Sequence, residues 1–291
     1  MTAPRDILSE RLQRVELPGG LAFHYVEAGQ GQPLVFLHGV LGDWRTWAPQ
    51  WAAFTPRYRC ISYSRRYSTP NGNTHPSPDH SARVEAQDLG ALLPLWQAEP
   101  AILVGSSYGA YTALALAAQR PEAVRALVLL EPPMLRWADR SEAGRAARAA
   151  FDREVRLPAR EAFLRGDAES AVRLLTGGIV GAEVARGLGD EAMRARMANE
   201  RSIRMLTLSS DEFPWIAPEA VRALRMPVLL LAGADTPAIH DTVFRNLCEA
   251  MTQAEVHRIP AAGHGAARDN PQAFNACVLD FLARTVGPPA G

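Results

Sequence analysis

One stretch of ten residues constrains this chain more than any other. Ala101-Ile-Leu-Val is a short apolar run, Gly105-Ser106-Ser107-Tyr108-Gly109 follows, and an Ala/Leu-rich segment continues from Ala110 to Gln119. An apolar strand, a tight G-x-S-x-G turn and a helix start are the parts of a nucleophile elbow. Each part has a physical reason. A side chain held at the tip of a strained turn needs small neighbours two positions away on either side. Gly105 and Gly109 meet that need and assign Ser107, not Ser106, as the nucleophile. The serine then sits at a helix N-terminus, where free N–H groups favour developing negative charge.

The rest of the chain supplies a setting for that turn. Apolar strands are expected at 21–27, 33–37, 59–63, 101–104 and 126–130. Helices are expected at 44–54, capped by Asp43, at 81–96 and at 108–119. Continuous apolar strands alternating with helices indicate a parallel sheet covered on both faces. The alternation stops after residue 133. From Met134 to Trp215 the chain is rich in Ala, Arg and Glu and reads as helices only. It resumes with strands at 227–232 and 255–259 and helices at 239–251 and 271–285. The expected organisation is therefore a core of residues 1–133 and 216–291, with 134–215 inserted as a helical cap over the sheet edge where α/β ligand crevices form.

With these elements in place, the sequence resembles the α/β-hydrolase superfamily over nearly its whole length. The resemblance implies a mostly parallel central sheet with helices on both faces and a helical cap. His38-Gly39-Val40, after an early strand, resembles the family's oxyanion loop, which implies the N–H groups of Val40 and Tyr108 as the oxyanion hole. Gly263-His264-Gly265, after the last strand, resembles the context of the family's catalytic histidine. His24, His38, His75, His80, His240 and His257 lack that setting and read as loop-shaping, core or surface residues.

The acid departs from the common pattern. The family usually places it after the penultimate strand as G-x-x-D-P, whereas this chain has Gly233-Ala234-Asp235-Thr236-Pro237. Thr236 takes the acid's place, and Asp235 comes one position early. The family's second solution puts the acid after the strand that follows the nucleophile helix, and there the chain offers Glu131. A carboxylate at the end of an apolar strand carries a desolvation cost unless it is paired. Glu131 is the favoured acid, with Asp235 the alternative.

Composition removes other chemistries. All 31 basic residues are arginine, against 31 acidic ones, so the formal charge is zero. Without lysine there is no Schiff-base chemistry and no P-loop. A neutral balance argues against a nucleic-acid partner. Cys60, Cys248 and Cys277 are too scattered for a metal site or a disulfide framework, so no cofactor is expected. No apolar run approaches a membrane span, and charges every few residues up to Leu17 give no secretory leader, which makes the cytoplasm the expected location.

The expected function is hydrolysis of an ester or lactone of a small hydrophobic molecule through an acyl-enzyme on Ser107. Met134, Trp137 and Trp215 are candidate pocket walls from the cap, with Leu135, Phe151 and Phe213 beside them. Arg66 is a structural residue or a contact for a substrate carboxylate, and Trp44, Trp47 and Trp51 at helical spacing read as core. The position of Glu131 looks similar to that in zearalenone-type lactone hydrolases. Carbon–carbon bond hydrolysis, cofactor-free oxygenation and a small-molecule receptor are the other readings this fold allows.

Overall fold

The computed structural model describes residues 5–74 and 76–287. His75 and the first few residues of the charged N-terminal segment lie outside them. Eight strands form one sheet in the order β1-β2-β4-β3-β5-β6-β7-β8. They are β1 (Gln13–Leu17), β2 (Leu21–Ala28), β3 (Pro33–Leu37), β4 (Arg59–Tyr63), β5 (Ala101–Ser106), β6 (Val124–Leu130), β7 (Val228–Gly233) and β8 (Glu255–Ile259). The β1–β2 and β2–β4 pairs are antiparallel, and every other pair is parallel.

Strand β1 has no counterpart in the sequence expectations. Its Gln-Arg-Val-Glu-Leu run is mostly polar and half-exposed, as suits an edge strand paired on one side only. The expected helix over 44–54 is split. Asp43 caps a short 3-10 turn, Trp44–Trp47, through the Arg45 N–H, and α1 (Ala48–Phe54) begins afresh with Pro49 in its first turn.

The buried strands explain their own composition. In β3, Val35 and Leu37 enter one core while Leu34 and Phe36 enter the other. The first core lies under α2 (Ala82–Leu95) and α3 (Tyr108–Gln119). In the second, Trp47, Trp51 and Phe54 surround Phe36, with the Trp47 ring centroid 4.8 Å from that of Phe36. Trp47 and Trp51 are therefore core residues, as their spacing suggests.

Between β6 and β7 the chain forms helices and connecting loops with no strand among the described residues. It forms α4 (Glu142–Phe151), α5 (Leu157–Leu164), α6 (Ala168–Val180), α7 (Ala182–Arg186), α8 (Asp190–Met197), α9 (Glu200–Thr207) and α10 (Pro218–Arg222). This insertion has its own small core, in which Phe163, Val172, Leu175 and Ile203 are buried and Val40 and Leu41 of the main body pack against it. Met134, Leu135, Trp137 and Ala138 belong instead to the first sheet core. The last helices are α11 (Ala238–Ala250), α12 (Ala266–Asp269) and α13 (Pro271–Thr285). Among the described residues no helix is long and apolar enough to cross a membrane.

The sheet order reverses direction at β3, whose neighbours β4 and β5 lie on opposite sides. The segments that leave the carboxyl ends of β3, β5, β6, β7 and β8 carry Val40, Ser107, Glu131, Thr236 and His264 in turn. That is the crevice position expected for an open α/β sheet.

Candidate active site

Ser107 links β5 to α3 with φ 53° and ψ −122°. A non-glycine residue in this left-handed region is strained. The strain is held from both sides, because the Ser107 N–H donates to the Leu130 carbonyl at 2.7 Å and its own carbonyl accepts from the Tyr111 N–H at 3.0 Å. The two glycines are needed as the motif suggests. A methyl group at Gly105 would collide with the backbone of Gly109 and Ala110, and one at Gly109 with the Leu37 and His38 carbonyls. The Tyr108 N–H lies in the first turn of α3, where no helical carbonyl precedes it.

The His38–Val40 loop runs against the serine. A methyl on Gly39 would come within 3.2 Å of Ser107 Cβ. His38 shapes this loop and is fully buried. Its Nδ1 lies 2.8 Å from the Gly39 carbonyl, which can only accept, so Nδ1 carries the proton. Its Nε2 then accepts the Arg65 N–H at 3.0 Å. Burial, with Arg65 nearby, pushes the imidazole down to about 3, so it stays neutral at physiological pH. Arg65 is also buried. It donates to the Gly39 carbonyl at 3.1 Å, pairs with buried Glu85, and places its guanidinium 5.3 Å from the Tyr108 ring centroid. The neighbouring Arg66 points elsewhere and forms a two-pronged pair with Asp88 at 2.7 and 2.5 Å. The arginine that braces the site is thus Arg65, which the sequence did not single out.

Glu131 leaves β6 with φ 45°, a second strained residue beside the first. Its carboxylate accepts three hydrogen bonds: the Gly233 N–H on Oε1 at 2.8 Å, and the Thr236 hydroxyl at 2.7 Å and His264 Nδ1 at 2.6 Å on Oε2. A buried carboxylate is satisfied in this way. Asp235 is exposed, and its N–H donates to the Ala262 carbonyl at 2.9 Å. The structure therefore brings Glu131 to His264. Thr236, standing where the common pattern has the acid, supports Glu131 instead.

His264 is 4% exposed, and its Nε2 is buried with no hydrogen-bond partner among the described residues. Its ring stacks on that of His240 with centroids 3.9 Å apart and planes at 23°. Burial, with His264 beside it, lowers the His240 pKa well below the usual imidazole range. Nothing in the sequence separates His240 from its buried neighbours Ile239 and Val243. Glu131, His240 and His264 have ligand atoms within 4.8 Å of one another, a spacing open to a metal ion. Stacked imidazoles do not converge their in-plane lone pairs on one point, however, and Glu131 and His264 already satisfy each other. The arrangement fits an imidazole–carboxylate pair with a second ring packed against it.

Two cavities meet at Ser107. The larger, about 300 Å³, also reaches Val40, Ile179, Arg196 and His264. The smaller, about 40 Å³, is walled by Leu135, Phe151, Leu175 and Phe213, with Glu212 and Arg156 among its polar lining. Neither is lined by Met134, Trp137 or Trp215, which corrects the expectation for these three. Met134 and Trp137 are buried in the sheet core, where the Trp137 indole donates to the Ile216 carbonyl at 3.0 Å. Trp215 is 43% exposed and borders a separate surface hollow with Arg136, Asp139, Arg140 and Arg148. Leu135, Phe151 and Phe213 do line a cavity shared with Ser107.

Glu212 gives a pH prediction. Its side chain is 11% exposed, and Arg156 approaches only to 3.4 Å. Burial, opposed by Arg156, pushes its carboxyl up to about 7. The folded state thus holds this proton more tightly than the unfolded chain. Its contribution to stability is complete below the ordinary value of about 4.5 and is lost as pH rises through 7. Glu212→Gln should gain on the wild type between pH 5 and 8, by on the order of 2 kcal/mol. Melting curves of both proteins at the two pH values check this, and a constant difference between them would contradict it.

The comparisons with known proteins agree with this frame. The chain is 27% identical to the sn-1-specific diacylglycerol lipase ABHD11 of Mus musculus, over 91% of this chain and 86% of the relative. It is also 27% identical to the 2-hydroxymuconate semialdehyde hydrolase of Pseudomonas sp. (strain CF600), over 97% of each. Among solved structures, a thermophilic esterase from Thermogutta terrifontis aligns with a TM-score of 0.76 at 19% identity, covering 94% of this chain and 99% of that one. Est816, an N-acyl homoserine lactone degrading enzyme, aligns with a TM-score of 0.73 at 22% identity, covering 92% and 100%. At these identities the structural likeness establishes the fold alone. The family model described as "Alpha/beta hydrolase family" matches residues 34–276, most of the chain, and the protein belongs to that family.

Proposed function

We propose that the protein is a serine hydrolase that cleaves a carboxylic ester or lactone of a small, largely apolar molecule. The observation that carries this reading is the His264 imidazole. One nitrogen is held by Glu131, and the other is buried, without a partner among the described residues, on a ring that lines the same cavity as strained Ser107. A buried lone pair without a donor is costly unless it serves a proton transfer.

The mechanism follows from those groups. Glu131 orients the ring so that Nδ1 carries hydrogen and Nε2 is free to act as a base. Nε2 takes the Ser107 proton as the hydroxyl attacks the carbonyl carbon. The oxyanion rests on the Val40 and Tyr108 N–H groups, each worth about 10²–10³ in rate. The imidazolium then protonates the leaving oxygen, and a water molecule, activated by the same nitrogen, releases the acid. The helical insertion acts as the cap, contributing Phe151, Leu175 and Ile179 to the cavities. The partner is a small-molecule substrate, with no nucleic acid and no membrane in the reaction. The three cysteines are free.

The test pairs a label with a panel. A fluorophosphonate probe is expected to modify Ser107 stoichiometrically, with mass spectrometry locating the adduct. Short para-nitrophenyl esters and simple lactones should turn over under both air and argon. Absence of labelling and turnover would sink the proposal. Cleavage of diketones alone would replace it with carbon–carbon hydrolysis, oxygen dependence with cofactor-free oxygenation, and tight binding without turnover with a receptor.

A further inference from the structure

Three arginines border the larger cavity, and only two carry their own counter-charge. Arg45 pairs with Asp43 at 2.7 Å, and Arg268 with Asp269 at 2.8 Å. Arg196, on α8, is 7% exposed and lines the cavity with Ser107 and His264. Among the described residues it makes no ion pair. Its Nη1 donates to the Ala192 carbonyl of its own helix at 2.7 Å, and its Nε is buried without a partner. Asn199 on the same wall is engaged elsewhere: its amide N–H donates to Asp43 at 2.9 Å and its oxygen accepts the Thr69 N–H at 2.9 Å. Burial, reinforced by Arg268, lowers the pKa of Arg196.

A guanidinium left in this condition carries a desolvation cost that a carboxylate would offset through charge-assisted hydrogen bonds. Among the described residues the other charged side chains on the cavity wall are paired, so the uncompensated charge there is one positive charge. The two cavities differ in a way that orients a substrate. His264 must protonate the leaving oxygen, and it lines the larger cavity but not the smaller one. The leaving group therefore occupies the larger cavity, beside Arg196. The acyl group occupies the smaller, apolar one, which admits little more than a short chain.

We propose that the substrate is a short-acyl ester of a hydroxy acid, whose free carboxylate on the alcohol side is bound by Arg196. This rests on the serine-hydrolase reading and narrows it. A largely apolar molecule then carries one obligatory anionic end, and Arg196 is the residue that selects for it.

Matched esters test the idea. para-Acetoxybenzoate carries the acid on the leaving group, and its methyl ester is the neutral control. Each rate is normalised to alkaline hydrolysis of the same compound. The wild type is expected to favour the acid in kcat/KM by about tenfold or more, chiefly through KM. A para-nitrophenyl hemisuccinate, with the acid on the acyl side, should show no such advantage over para-nitrophenyl butyrate. Arg196→Gln should bring the first ratio close to one, and Arg196→Lys should retain part of it. A wild-type ratio at or below one overturns the proposal, as does an unchanged ratio in a folded Arg196→Gln protein. An advantage only for the hemisuccinate would overturn the assigned orientation.

A measurement on the wild type alone covers a variant that does not fold. Calorimetry should show para-hydroxybenzoate binding about tenfold or more tightly than para-hydroxybenzamide, and equal binding overturns the proposal. Loss of all ester turnover and of fluorophosphonate labelling strikes the serine-hydrolase reading instead. The calorimetric pair still scores the Arg196 site in that event.

Discussion

Ser107→Ala is expected to lower kcat on para-nitrophenyl esters by about 10⁶ while leaving KM within a few fold. The variant keeps the cavity and the oxyanion-binding N–H groups, so it still binds ester and stabilises the tetrahedral species that water alone can form. Such a remnant is worth about 10³–10⁴ over the uncatalysed reaction. What disappears is the acyl-enzyme and the burst of nitrophenol that precedes steady turnover. Pre-steady-state traces read both. A variant that keeps its burst would place the nucleophile elsewhere, and Ser106 is the neighbour that tests the motif's own assignment. Ser107→Ala keeps Cβ and hence the strained backbone, so its melting temperature should stay close to that of the wild type.

Glu131→Gln is expected to cost about 10⁴ in kcat, whereas Asp235→Asn should stay within about twofold. The asymmetry follows from donors and acceptors. The carboxylate accepts from Gly233, Thr236 and His264 at once. A glutamine there has one oxygen and one NH₂ group, so it meets at least one of those donors with another donor. The imidazole escapes the clash by moving its hydrogen to Nε2, and that tautomer has no lone pair for the serine. Asp235 faces solvent and touches none of these atoms, so its amide variant changes little. Comparable losses in both variants would reopen the choice of acid. Thr236→Val removes only one of the three donors and should fall between the two.

The backbone of the site was readable in the sequence because it is built from local patterns. Ser107, His264 and the β3 loop announce themselves through glycines and strand ends that hold within a few residues. Glu131 was readable through chemistry, since a carboxylate closing an apolar strand demands a partner. The supports were not readable. Thr236, Arg65 and His240 reach the site from segments distant in the chain, and each looks ordinary in its own. The cap walls failed for a related reason. Size and hydrophobicity single out Trp137 and Trp215, but whether an indole faces a cavity, a core or water is set by tertiary packing. Trp137 sits in the sheet core and Trp215 is 43% exposed. Strand β1 was missed because an edge strand needs no apolar alternation to hold one row of hydrogen bonds.

The strained residues Ser107 and Glu131 have one more consequence. Each immediately follows one of two paired residues, Ser106 and Leu130, on adjacent parallel strands, and each is fastened by a backbone hydrogen bond to the next strand. The proposed acid and nucleophile are thus extensions of the sheet ladder rather than passengers on surface loops. Their alignment cannot loosen without unzipping β5, β6 and β7, which are buried over nearly all their length. On heating, the Ser107–Glu131 framework should fail together with the whole domain. A lower inactivation temperature than melting temperature would then point to the cap as the part that gives way first.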